Sequence, residues 1–126
     1  MTLVDTSAWI EFFRGGEAGL AVDELLALDE AAVCGPILTE LRRGLHSPAE
    51  RRKLLPLLDA CHLLPQPDAL WLDAGDLGFA LARNGVTVKT LDLLIAAYAL
   101  AHDVTLLTLD QDFRSMRTAG IPLALA

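Results

Sequence analysis

The chain has little of several things that usually direct a reading. Its two cysteines, Cys34 and Cys61, lie in separate apolar runs. That is too sparse for a disulfide framework or a thiolate metal site, and it fits small buried side chains in a reducing cytoplasm. Positive charge is also scarce: 10 lysines and arginines stand against 17 acids, a net charge of −7 that argues against non-specific nucleic-acid binding. No apolar run reaches the length of a membrane span, so no membrane association is expected. Met1 to Val4 lead straight into Asp5 without a basic and then apolar leader, so no export signal is expected either. Repeats and low-complexity stretches are absent. What is abundant is apolar: 53% of 126 residues, enough for one domain over 1–126 with a sizeable core.

The most informative stretch is Val88 to Ala101, VKTLDLLIAAYALA. It predicts an almost wholly buried helix with Thr90 as N-cap, yet it carries Asp92. A carboxylate set against such a surface needs a cation or hydrogen-bond donors. The local explanation is that an acid in a first helical turn favours the macrodipole. Three further acids in comparable positions weigh against leaving it there.

Taken in order, Thr2 to Val4 is a short strand ending at Asp5, and Thr6 or Ser7 caps a helix to about Phe13. After Gly15-Gly16, Ala18 to Leu28 reads as a helix with Leu20, Leu25 and Leu28 on its apolar side. Ala31 to Cys34 is a strand. Pro36 then opens a helix to His46, with Ile37, Leu38, Leu41 and Leu45 in one stripe and Glu40 at its border. Ser47-Pro48 supplies N-cap and first turn for a helix over 49–58. Cys61 to Leu64 is a strand, Ala69 to Arg83 a long helix closed at Asn84-Gly85, and Val104 to Leu107 another strand. A short amphipathic piece runs to about Thr118, and Ile121 to Leu125 is a candidate terminal edge strand that tolerates Pro122.

Short apolar strands alternating with helices predict an α/β fold: a three-layer α/β/α sandwich around a mostly parallel sheet of four to five strands, covered on both faces. Ligands of such sheets gather beyond the C-terminal strand ends. That places Asp5 and Asp110 at one rim, with Glu40 and Asp92 brought to it by helices. Four converging carboxylates suit a hard divalent ion such as Mg²⁺. Such an ion serves phosphodiester hydrolysis, and without it the acids repel. Each acid has a plainer reading beside this one. Asp5 can cap the first helix, Glu40 can pair with Arg42 or Arg43, and Asp110 and Asp112 can organise a turn. Ser7 and Thr108 can support a carboxylate or only cap. The basic residues concentrate in Arg42, Arg43, Arg51, Arg52 and Lys53, against Glu50 alone in that stretch.

These segments together resemble the PIN-domain proteins, most closely the VapC ribonuclease toxins of bacterial toxin–antitoxin pairs. LVDTSAWIEFF is similar to the family's opening and carries its first acid onto Asp5 and its hydroxyl residue onto Ser7. ILTELRRGL carries the second acid onto Glu40. LDLLIAAYALAHDVTLLTLDQDF carries the third onto Asp92 and the fourth onto Asp110, with Asp112 as an accessory carboxylate and Thr108 beside them. The resemblance spans essentially the whole chain. It implies a PIN-like fold and a cytoplasmic Mg²⁺- or Mn²⁺-dependent endoribonuclease that cuts a structured RNA, a transfer or ribosomal RNA loop. It further implies a homodimer and a VapB-like antitoxin that covers the active site, with DNA met only through the antitoxin. On this reading Asp5, Glu40, Asp92 and Asp110 hold the metal. Arg42 or Arg43 contacts phosphate, and Arg51, Arg52 and Lys53 steer the RNA backbone.

Three enzymatic or binding rivals use similar acids. A haloacid dehalogenase-type phosphatase needs a second acid two residues after Asp5, where Ser7 stands, and a lysine near the phosphate, for which Lys89 is the only one outside the basic stretch. A receiver domain needs an adjacent acid pair after the first strand, which is missing, and a flap-type nuclease needs more chain. A non-catalytic role within an antitoxin-bound repressor complex is the remaining alternative. The helix faces near Leu20–Leu28 and Leu54–Leu58 are candidate homodimer or partner contacts, or equally core-facing.

Overall fold

The computed structural model describes all 126 residues. Strands β1 (Thr2–Val4), β2 (Ala31–Val33), β3 (His62–Leu63) and β4 (Thr105–Leu107) form one sheet in the order β3-β2-β1-β4. All pairings are parallel, with Leu3 opposite both Ala32 and Leu106 and Val4 opposite Leu107. Leu3, Val4 and the whole of β2 are buried, as strands covered on both faces must be. The helices are α1 (Thr6–Phe13), α2 (Leu20–Ala27), α3 (Gly35–Gly44), α4 (Pro48–Asp59), α5 (Leu70–Arg83), α6 (Thr90–His102) and α7 (Gln111–Thr118). Together they complete the α/β/α sandwich. No helix is long and apolar enough to cross a membrane.

The strand order fixes where a ligand can sit. From β1 the chain builds outward through β2 to β3, then returns with β4 on the other side of β1. The switch point therefore lies between the C-terminal ends of β1 and β4, where successive connections diverge and leave a crevice. The ladder continues one residue past β1, because the Asp5 N–H donates to Leu107 O at 2.9 Å. Asp5 is thereby pinned at the mouth of the crevice.

Helix α6 lines the same region. Eight consecutive residues, Asp92 to Ala99, are buried, so the helix has no solvated face and no amphipathic signature. It packs along α5, with Gly78 facing Leu93: a Cβ there would meet Leu93 Cδ1 at 2.8 Å and that side chain would have to shift. Helix α5 closes at Gly85, whose φ of +78° is open to glycine without strain. Ser47 caps α4 by accepting from Glu50 N at 3.2 Å, while Glu50 reaches back to His46 N at 2.9 Å.

Several local expectations change, and one open choice is decided. Lys89, not Thr90, is the N-cap of α6, and Thr90 is its first residue. A 3₁₀ turn over Glu17–Gly19 shifts the phase of α2, so Val22 is buried with Leu25 and Leu26 beside it, and Leu20 and Leu28 are exposed. Of the two readings open for Leu54 and Leu58, the core-facing one holds. The terminal strand reduces to a single parallel bridge, Leu106 with Leu125, since Pro122 has no N–H to extend a ladder.

Candidate metal centre at the sheet switch point

Asp5 stands at the N-cap position of α1, but its side chain caps nothing. Instead its Oδ2 accepts two hydroxyls, from Ser7 at 2.7 Å and Thr108 at 2.9 Å. Ser7 arrives on the first turn of α1 and Thr108 directly after β4, so the two sides of the switch point are tied through one carboxylate oxygen. Ser7 Oγ accepts from Leu109 N at 3.0 Å, and Thr108 Oγ1 from Asp110 N at 3.0 Å. Asp5 and Thr108 are each only 3% exposed.

Asp110 caps α7, its Oδ1 accepting from Asp112 N at 2.9 Å. The turn-organising role and a place in the acid cluster therefore coexist. Glu40 on α3 is half-buried and makes no ion pair with Arg42 or Arg43; it accepts from Thr6 Oγ1 at 2.9 Å. The two ion pairs of the molecule, Arg14–Glu11 and His62–Asp29, involve none of the clustered acids.

The tightest grouping is Asp92, Asp110 and Asp112, which bring carboxylate oxygens within 4.8 Å of one another. Asp112 is thus a full member of the cluster's geometry rather than an outlier. Asp5 and Glu40 stand outside this trio yet close enough to be felt. Burial first, then the charges of Asp110, Asp5, Glu40 and Asp112, push the Asp92 carboxyl from an ordinary 3.8 up to about 7. Magnitudes settle the local explanation of Asp92. The field of a helix N-terminus stabilises a carboxylate by about 0.3–1 kcal/mol. One pKa unit is worth about 1.4 kcal/mol, so an upward shift of this size exceeds that help.

The donor set fits a hard divalent cation: oxygen ligands only, crowded, with no basic side chain neutralising them. Cys34, next to this region, is fully buried and its thiol is pushed up to about 12, chiefly by burial, so it stays protonated and adds no soft ligand. Asp92, Asp110 and Asp112, with Asp5 and Glu40 flanking, are the residues able to hold such an ion.

A cleft of about 390 Å³ opens beside Glu40 and Thr6, between α1, α3 and α4. Ile10, Phe13, Leu41 and Leu54 give it an apolar lining, and Arg14, His46 and Lys53 are its basic members. Arg42 and Arg43 are exposed in the last turn of α3 and do not line it. Arg51 and Arg52 face a separate shallow depression with Pro48, Leu55 and Pro56. Arg14 was not singled out by the sequence, although Thr6, Ile10, Phe13 and Arg14 follow the spacing of one helical face.

Comparison with known proteins agrees with this architecture. The PIN domain profile matches residues 2–118. Ribonuclease VapC11 from Mycobacterium tuberculosis is 36% identical over 119 residues, 90% of this chain and 89% of that protein. Among solved structures, VapBC2 from Rickettsia felis bound to a DNA fragment from its promoter gives a TM-score of 0.78 at 21% identity, covering 99% of this chain and 96% of the other. A toxin–antitoxin complex from Klebsiella pneumoniae gives 0.76 at 23% identity, covering 100% and 96%. The chain belongs to the PIN domain family, among its VapC-type members.

The raised Asp92 sets a pH dependence for the metal-free protein. Its folded value of about 7 lies above the unfolded one, so the native state holds more protons between the two and stability falls as pH rises through that window, from about 4 to about 7. In chelator, the protein is expected to melt higher at about pH 5.5 than at about pH 8, and Asp92→Asn to shrink that difference. An unchanged difference in the variant would assign the dependence to other groups.

Proposed function

We propose that the protein is an endoribonuclease toxin that uses Mg²⁺ or Mn²⁺ held by Asp5, Glu40, Asp92 and Asp110, with Asp112 assisting. The observation that carries this reading is the uncompensated carboxylate cluster at the switch point. A divalent ion bound there supplies Lewis acidity that lowers the pKa of water and offsets charge on phosphoryl oxygens. The chain's own part is orientation. Ser7 and Thr108 fix one oxygen of Asp5 and leave the other free, and the Asp112 N–H does the same for Asp110. The substrate is a structured RNA loop, as in transfer or ribosomal RNA. Its phosphates are proposed to meet Lys53 and Arg14, which share the cleft with Glu40, and the exposed Arg42 and Arg43 one turn from it, with Arg51 and Arg52 steering the RNA backbone.

A VapB-like antitoxin is the proposed partner, in line with the kinship to a VapC protein and the fold shared with toxin–antitoxin complexes. The apolar cleft beside Glu40 offers its chain a seat from which it covers the acids, and contact with DNA comes only through it. A phosphatase reading draws no support, because Ser7 donates to Asp5 where that chemistry needs a general acid. The full set of acids favours catalysis over a purely structural role.

A homodimer is also proposed, through the outer face of α5. Trp71, Leu72 and Phe79 are 65–75% exposed there, with Arg83 over the Phe79 ring at 5.7 Å. Sedimentation is expected to give twice the chain mass, reduced toward one chain in Phe79→Glu. A single-chain mass for the unmodified protein contradicts the dimer.

The activity is tested by incubating antitoxin-free protein with total RNA in Mg²⁺, in Mn²⁺ and in EDTA, then mapping new ends. Discrete cleavage is expected with metal only, falling on the order of a hundredfold or more in Asp5→Asn and Asp92→Asn. Cleavage that persists in EDTA or in both variants would contradict the assignment.

A further inference from the structure

The Thr6 hydroxyl has a single proton to donate, and it is committed to Glu40 across 34 residues of sequence. That contact stands apart from the other supports of the cluster. Asp5 takes Ser7 from its own helix turn as well as Thr108 from across the switch point, and Asp110 takes an N–H two residues on, so each of these acids has at least one support close in sequence, which Glu40 lacks. Glu40 sits in the body of α3, on another element, with three side-chain torsions and no cation to fix it. Thr6 is its one side-chain hydrogen-bond partner. Thr6 itself is held firmly: it is the first residue of α1, its neighbour Asp5 is locked into the sheet ladder, and its branched Cβ restricts χ1.

We propose that Thr6 is a positioning residue for Glu40, which it latches through Oε1 so that Oε2 is presented to the cluster. The inference rests on the metal-centre reading given under Proposed function and deepens it. Adjacent hydroxyls then divide the work, Ser7 orienting Asp5 and Thr6 orienting Glu40. Hydroxyls that orient ligands in this way commonly change affinity or rate by about 10–100-fold when removed. Because Thr6 also lines the cleft, whatever occupies that cleft lies against the latch.

The test uses the full chain as Thr6→Val, Thr6→Ser and Glu40→Gln, together with the double variant. Mn²⁺ binding is read by calorimetry, and RNA cleavage by kcat and KM. Thr6→Val is expected to weaken Mn²⁺ binding and lower kcat about tenfold with KM little changed, and Thr6→Ser to restore both to within about twofold. In the Glu40→Gln background, adding Thr6→Val is expected to cost little more, the non-additivity of a coupled pair. The proposal is overturned if Thr6→Val binds and cleaves like the unmodified protein. It is equally overturned if Thr6→Ser, which keeps the hydroxyl, falls as far as Thr6→Val, because the hydroxyl would then not be what holds Glu40. If Thr6→Val does not fold, Thr6→Ser against the unmodified protein and the Glu40→Gln cycle run with Thr6→Ala decide the matter. Absence of Mn²⁺ binding by the unmodified protein would bring down the metal-centre reading itself, whereas binding that is indifferent to Thr6 would remove only the latch.

Discussion

Like charges held together without a counter-cation are the constraint around which this molecule is arranged. Five carboxylates face one crevice, three with oxygens within 4.8 Å, and no lysine or arginine pairs with any of them. A cluster of that kind resists assembly, so the surrounding fold must impose it. Burial is the larger penalty for Asp92, ahead of its four acidic neighbours. The helix that carries Asp92 offers it no escape, because α6 is buried for eight residues running.

The sheet supplies the imposition. Beside β1 the chain reverses its direction of growth, so the ends of β1 and β4 lie side by side and Asp5 and Thr108 meet across 103 residues of sequence. Hydroxyls and N–H groups then hold the acids by one oxygen each. Ser7 and Thr108 both take Oδ2 of Asp5, Asp112 N takes Oδ1 of Asp110, and Thr6 takes Oε1 of Glu40. Such donors orient a carboxylate without discharging it, the arrangement a site needs if its charge is to be met by a cation. No donor reaches the carboxylates of Asp92 and Asp112, and at the buried Asp92 that accords with its raised pKa.

Much of this could be read from residues alone. The apolar runs at 2–4, 31–34 and 104–107 marked the strands, and an aspartate within LDLLIAAYALA stood out because burial of a bare acid is costly. Strand-end logic alone puts Asp5 and Asp110 at one rim. What stayed hidden depended on tertiary placement or helical phase. A 3₁₀ turn rotated α2, so Val22 went inside and Leu20 outside. Thr6 and Ser7 both looked like caps, and neither is one; each spends its hydroxyl on an acid. The plain turn role fitted Asp112 in sequence, yet the fold sets it in the tightest trio. The exposed apolar patch of α5 is not legible in the sequence, where the adjacent Trp71 and Leu72 and, further along, Phe79 read as part of a helix's core-facing side.

The measurement that tests the central claim most directly is thermal melting at neutral pH, with and without Mn²⁺, for the protein and for Asp92→Asn. If the crevice is a carboxylate cage awaiting a cation, Asp92→Asn relieves repulsion and melts higher than the unmodified protein in chelator. Added Mn²⁺ then raises the melting temperature of the unmodified protein strongly and of the variant weakly. Equal responses in the two proteins, or none in either, would contradict the account.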